Sequence, residues 1–282
     1  MPPPVIHIRR RRGLLDIDWA ELWHYRDLLV QMVARDFSAR YKQTVLGPLW
    51  FIIQPLATTL IFTVVFSGIA KISTDGLPPT LFYLTGLLAW NYFSTALNSI
   101  SGCLRANAGI VSKVYFPRLI LPLVGACSAL LGLVVQIATW AVVLIVIKSS
   151  MAGTATFGLT IHLWAFPLLI LQAGVLAVGV GLILTTLTAK YRDLSYAMGF
   201  VTQAWLYATP IIYPLSQIPE RWQWVAALNP MTAVVETTRF ILLGQGSPNP
   251  IMIVSSVAIT LVVLFAGLLV FNRIERHFVD II

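Results

Sequence analysis

The chain has 282 residues, of which 58% are hydrophobic and only 11% are charged, and its formal net charge is +8. Water-soluble domains carry about 25% charged residues, so this chain has too few to cover its surface in water and needs lipid around most of it. The positive charge is no nucleic-acid face either, because the cations fall in short segments between or outside the apolar runs, as topology signals do.

Residues 1–18 read as a basic N-terminal tail carrying Arg9, Arg10, Arg11 and Arg12; it lacks an apolar core, so no cleavable signal peptide is expected there. In the next segment, 19–48, Leu22, Leu29, Val33 and Phe37 share one helical face while Asp27, Gln31, Arg35 and Ser38 share the opposite one. An amphipathic helix in the cytoplasmic leaflet, its cations among anionic headgroups, fits this pattern. A helix packed on protein fits it as well, since Arg26 and Asp36 interrupt the apolar face.

Crossing a bilayer takes about 20 apolar residues in a helix. Runs meeting that need lie at 49–70, within 80–104, at 119–147, 162–189, 194–213 and 251–271, which predicts an all-α membrane domain of six helices over 49–273 and a short tail at 274–282. Six crossings put both termini on one side. With the N-terminus inside, Arg9 to Arg12, Arg26, Arg35, Arg40, Lys42, Arg105, Lys113, Arg118, Lys190, Arg192, Arg273 and Arg276 are cytoplasmic, fifteen of the nineteen Lys and Arg residues. Only Lys71, Lys148, Arg221 and Arg239 are then outside, and cationic loops stay inside.

The stretch 214–250 breaks the pattern. Pro214, Pro219, Pro230 and Gly244-Gln245-Gly246 divide it into apolar pieces too short to span. It reads as a re-entrant hairpin on the outer side, because irregular backbone at membrane depth needs protein or a water-filled cavity around it.

The chemistry that is missing narrows the function. No G-x-x-x-x-G-K-[ST] run occurs, so the chain has no P-loop for ATP phosphates. No H-E-x-x-H sequence or carboxylate pair lies within a span, which argues against metal or hydrolytic chemistry, and the spans are nearly free of the ionisable groups that ion-coupled carriers use. Cys103 and Cys127 read as reduced packing residues. Glu236 and Arg239, three apart in the re-entrant region, read either as a satisfied ion pair on a helix or as a lock for an outer gate. A short helix over 105–116 and the basic connection Lys190-Tyr191-Arg192-Asp193 are the cytoplasmic segments able to seat in a partner, or else plain connectors.

The run from Arg35 through Arg40-Tyr41-Lys42-Gln43-Thr44-Val45-Leu46-Gly47 to Trp50 closely resembles the lead-in to the first membrane helix in one family, the permease subunits of ATP-binding-cassette exporters of polysaccharides and polyol phosphates. Lys113-Val114-Tyr115-Phe116-Pro117-Arg118 is similar to that family's loop after the second helix, and Tyr191-Arg192-Asp193 to its second cytoplasmic loop. Thr209-Pro210-Ile211-Ile212-Tyr213-Pro214, Asn229-Pro230 and Arg239-Phe240 resemble its outer gate region.

The resemblance covers roughly 20–275. It implies a homodimer in the bacterial inner membrane above two separate ATPase subunits that bind ATP and Mg, with no cofactor or catalytic residue in this chain. The substrate it implies is a lipid-linked glycan, of the O-antigen or teichoic acid kind rather than the capsule kind. Arg105, Lys113, Tyr115, Phe116, Pro117, Arg118, Tyr191, Arg192 and Asp193 are then the expected ATPase-coupling residues. Arg35, Arg40, Tyr41 and Lys42 are candidates for the substrate headgroup, since cations bind pyrophosphate. Trp50, Phe51, Trp90, Tyr92, Phe93, Tyr207 and Tyr213 are candidate glycan-channel aromatics, with an aromatic interfacial belt as the plainer explanation for each. Pro214, Asn229, Pro230, Glu236 and Arg239 make up the expected outer gate. The rival readings are an exporter of small lipophilic drugs, an ATP-independent channel or secondary carrier, and a membrane glycosyltransferase with Asp75 or Asp193 as weak candidates.

Overall fold

The computed structural model describes residues 19–42, 44–111, 113–151, 157–191, 193–246 and 248–275, with the side chains of Arg40, Tyr41, Ile274 and Glu275 excepted. The basic tail 1–18, Arg192 and residues 276–282 lie outside the described residues.

All regular structure among the described residues is helical. Short α1 (Trp19–His24) leads into α2 (Arg26–Tyr41), and a single 3-10 turn, Gly47–Leu49, opens α3 (Trp50–Phe62). That helix continues as a wider π segment, Thr63–Ile69, and ends at Lys71, whose φ is 53°. Next come α4 (Pro79–Ser101), the one-turn helices α5 (Cys103–Ala106) and α6 (Ala108–Val111), and the 31-residue α7 (Ile120–Ser150). A 3-10 turn, Ile161–Ala165, opens α8 (Phe166–Lys190), followed by α9 (Leu194–Ala208), α10 (Glu220–Leu228), α11 (Pro230–Leu243) and α12 (Pro250–Glu275).

Proline sets many of these starts. Pro79, Pro167, Pro230 and Pro250 occupy first-turn positions, where the missing N–H has no partner to lose and the fixed φ already suits a helix. Pro210 ends α9 early by forcing Thr209 into an extended conformation, φ −101° and ψ 138°.

Among the described residues four segments are long and apolar enough to cross a membrane: Gly47–Ile69, Ile120–Ser150, Ile161–Lys190 and Pro250–Arg273. The protein is an all-helical membrane protein. Two of the expected crossings look different in the structure. With 23 residues α4 has the length, but 16 of them are buried, so most of it faces protein rather than lipid; Asn91 and Ser94 are half-buried and Asn98 is exposed. The other, α9, has only 15 residues, or about 22 Å, against about 30 Å of hydrocarbon.

The bundle is built around α4, which packs on α7 and α8; α12 covers α8, while α11 rests on α4, α8 and α12. Glycines let α8 and α12 meet at backbone distance: a Cβ on Gly267 would sit 2.3 Å from the Gly179 carbonyl oxygen. Small residues at such crossings are how membrane helices gain packing energy where lipid removes the hydrophobic drive. Leu60 on α3, Val142 and Ile145 on α7, and Leu261 and Val262 on α12 point outward and are exposed, as lipid-facing side chains are.

Candidate functional site

Three places gather the residues of interest: one end of the bundle carrying α2 and the 103–119 connection, the other end carrying α10 and α11, and a cavity between them.

At the first end, α2 turns its apolar face to protein. Met32 is buried, and Leu22, Leu28, Leu29 and Val33 pack on a cluster containing Cys103, Leu104, Phe116, Leu119, Ile120 and Phe271. Trp19, Trp23 and Val30 remain exposed, with the Arg26 guanidinium 5.5 Å over the Trp23 ring. The connection after α4 is not the single helix expected over 105–116. It breaks at Asn107, whose side chain donates to the Cys103 carbonyl oxygen (2.9 Å), and irregular backbone follows from Lys113. Phe116 and Pro117 are buried and anchor this loop; Lys113, Val114 and Tyr115 stand exposed at its tip; Arg118 is half-buried.

Side-chain bonds knit this end together. Arg35 is held by Asp36 (2.8 Å) and donates to Asn107 Oδ1 (2.8 Å), tying α2 to the connection. Tyr25 Oη donates to the Tyr115 carbonyl oxygen (3.4 Å). Arg105 donates to Ser195 Oγ (2.6 Å), joining the first connection to the start of α9, and Thr188 donates to the Ser101 carbonyl oxygen (2.7 Å). Burial pushes the Cys103 thiol up to about 12. Lys42 and Asp193 are exposed, and Lys190 lies over the exposed Tyr191 ring at 5.1 Å. The side chains of Arg40 and Tyr41, and all of Arg192, lie outside the described residues.

At the opposite end, α11 is buried at 13 of its 14 positions. Arg239 is fully enclosed: it pairs with Glu236 (2.6 Å), donates to the Ile211 carbonyl oxygen (2.9 Å), and stacks over the Phe82 ring at 3.8 Å. Gly86 makes the room, since a Cβ there would come within 2.9 Å of the guanidinium. Asn229 joins α9 to α11. Its Oδ1 accepts from the Met231 N–H (3.1 Å) and Trp205 Nε1 (2.9 Å), and its amide donates to Thr209 Oγ1 (2.9 Å). Pro214 and Pro230 are buried, Tyr213 donates to the Tyr207 carbonyl oxygen (3.1 Å), and Ser216 bonds Asp75 (2.9 Å). Of the expected gate residues, the structure thus brings Glu236 and Arg239 together and Asn229 and Pro230 together.

The candidate aromatics divide. Trp90 and Phe93 are buried in the core, with Trp205 6.5 Å and 5.0 Å away. Tyr207 is exposed on α9 and Tyr213 half-buried. Trp50, Phe51 and Tyr92 line a cavity of about 450 Å³ between α3, α4 and α7. Its four amides, Gln54, Asn91, Asn98 and Gln136, are not among the sequence candidates, although neutral amides inside otherwise apolar runs are the signal that marks them. Among the described residues no group of His, Cys, Asp and Glu could hold a metal.

These features define a membrane-spanning helical protein with a tied platform at one end and a buried ion pair at the other. The chain belongs to the ABC-2 type transporter membrane family, whose profile matches residues 27–243. It is 31% identical over 261 residues, 91% of this chain and 95% of the relative, to the O-antigen export system permease protein RfbA of Klebsiella pneumoniae. The protein of that same name in Myxococcus xanthus is 26% identical over 92% of this chain and 97% of its own. The polysialic acid transport protein KpsM of Escherichia coli is 26% identical over 86% of this chain and 91% of its own.

Proposed function

We propose that this chain is the membrane-spanning subunit of an exporter that moves a lipid-linked polysaccharide, of the O-antigen kind, from the cytoplasmic side across the bacterial inner membrane. A separate ATPase drives it and holds the ATP and Mg. The observation that carries the reading is similarity along nine-tenths of the chain to permeases named for O-antigen export.

Six crossings complete the proposal, with α4 and α9 added to the four apolar spans, and α10 with α11 forms the re-entrant hairpin. Each of those two is shorter than a crossing needs, and the burial of α11 supplies the protein cover that such a hairpin requires. Both termini are then cytoplasmic, as the charge bias favours. One bundle leaves no glycan-wide pore, so two copies surround the path above two ATPase subunits. No nucleic acid is involved.

The tip Lys113 to Tyr115, anchored by Phe116 and Pro117 and flanked by Arg118, seats in the ATPase; the Arg105–Ser195 bond passes its motion to the loop holding Tyr191, Arg192 and Asp193. Arg35 ties α2 to this platform, which leaves Arg40, Tyr41 and Lys42 as the groups that receive a pyrophosphate. Trp19, Trp23 and Val30 rest in the lipid headgroup layer. At the outer end Pro214, Asn229, Pro230, Glu236 and Arg239 hold the gate.

Copurification from native membranes tests this. The expected result is a stoichiometric ATPase partner whose turnover falls on substituting Lys113 and Tyr115 by Ala, together with loss of surface glycan when the chain is deleted. A purified chain that binds no ATPase, yet moves solute in liposomes, would overturn the reading in favour of a channel or carrier.

A further inference from the structure

We propose that the cavity between α3, α4 and α7 is a binding site for an uncharged sugar unit of the exported glycan, distinct from any place that receives its diphosphate. The assignment rests on the exporter reading and gives the sugar portion of the substrate a place in this chain. Its volume of about 450 Å³ falls in the range of about 300–1,000 Å³ typical of small-ligand pockets.

The lining chemistry is selective. Gln54, Asn91, Asn98 and Gln136 bring four side-chain amides to one space from three helices, and among the described residues no Lys, Arg, His, Asp or Glu lines it. A phosphate or an ion would find no opposite charge among those described lining residues. An amide presents both donors and an acceptor, and so does each sugar hydroxyl in its own way, so the two are complementary without charge. Trp50 and Phe51 add aromatic faces for the apolar C–H side of a pyranose ring.

Hydrocarbon does not suit this space. Amides facing an acyl chain forfeit their hydrogen bonds, and the bond between Asn91 and Gln136, at 3.4 Å, is long. Gln54 and Asn98 are exposed, which suits groups that exchange partners as a ligand passes.

The cavity also has a built wall at the end where α2 lies. Phe51 stacks on Phe37 of α2, with centroids 6.3 Å apart and planes 14° from parallel. Behind Phe51, Gly132 leaves the space its ring fills, since a Cβ there would be 2.5 Å from the ring. The lining residues occupy the first turns of α3, the second half of α4 and the middle of α7, so the site reaches from the platform end toward the middle of the bundle.

The experiment places a photo-crosslinking amino acid at Gln54, in the full chain with its ATPase, in cells that make the glycan, with the same group at outward-facing Leu261 as control. The expected product is a glycan-bearing adduct at 54 and none at 261. Gln54→Ala and Gln136→Leu should each lower export about tenfold at unchanged protein level, the effect of one lost hydrogen bond to a bound ligand. Because Gln136→Leu also removes an interhelix bond, the exposed Gln54→Ala is the deciding variant if the former fails to accumulate. Adducts at 54 with lipid alone or with a second copy of this chain would overturn the assignment, as would wild-type export by Gln54→Ala. If deleting the chain stops export while 54 yields no glycan adduct, only the cavity assignment fails. If deletion leaves surface glycan intact, the exporter reading itself fails.

Discussion

Arg239 shows how much one buried charge constrains. Its guanidinium needs Glu236 for charge, Ile211 for a hydrogen bond, Phe82 for its flat face and Gly86 for space. Removing one partner of a buried pair costs about 3–5 kcal/mol, because the other charge is left uncompensated. Arg239→Ala should therefore lower the thermal unfolding midpoint in detergent sharply, while the joint change of Glu236→Leu and Arg239→Met recovers much of it. An equal loss in the double variant would show that the pair is not the unit. Cys103 gives a quieter prediction. Its thiol, pushed up to about 12 by burial, stays protonated at pH 8, so little of the nucleophilic thiolate exists there. Maleimide should leave Cys103 unlabelled in folded protein at that pH and label it after denaturation, as peptide mass mapping would read.

At the scale of elements, helix ends and helix crossings carry most of the specification. Asn229 caps α11, and loss of such a cap costs about 1 kcal/mol. Here the same side chain also bonds Trp205 and Thr209, so Asn229→Ala should exceed that cost and loosen α9 from α11. Faster hydrogen exchange across 205–213 would report it. The crossing of α8 and α12 is more demanding. Gly267→Val has no space against the Gly179 backbone, whereas Gly102→Ala meets nothing within 4 Å. Folded protein recovered from membranes should fall steeply for the first and hardly change for the second. Similar recovery for both would mean that the two helices can separate without cost.

On the scale of the whole molecule, the apolar runs predicted six crossings, and among the described residues four helical segments are long and apolar enough, because hydrocarbon accepts only long uncharged helices. The helix over 194–213 is shorter than its apolar run, since Pro210 stops it at Ala208. The helix α4 carries Asn91 and Ser94 within its run, and the burial of 16 of its 23 residues by neighbouring helices accommodates them. Orientation belongs to the same scale. Fifteen cations on one side predict that reporter tags fused at either terminus face the cytoplasm, and a tag reached by an external protease would reverse the topology.

Sequence alone was enough for the membrane class and the absence of a P-loop, because each follows from local composition or a contiguous motif. The motif resemblance also anticipated the family that the profile match over residues 27–243 shows. Glu236 and Arg239 were legible as a pair, being three residues apart on one helix. Their enclosure by Phe82, Gly86 and Ile211 was not, since those residues lie far away along the chain. The Arg35–Asn107 and Arg105–Ser195 ties and the amide-lined cavity were equally out of reach. A polar side chain in an apolar run announces that it needs a partner, but only the packing of α3, α4 and α7 decides which partner it finds.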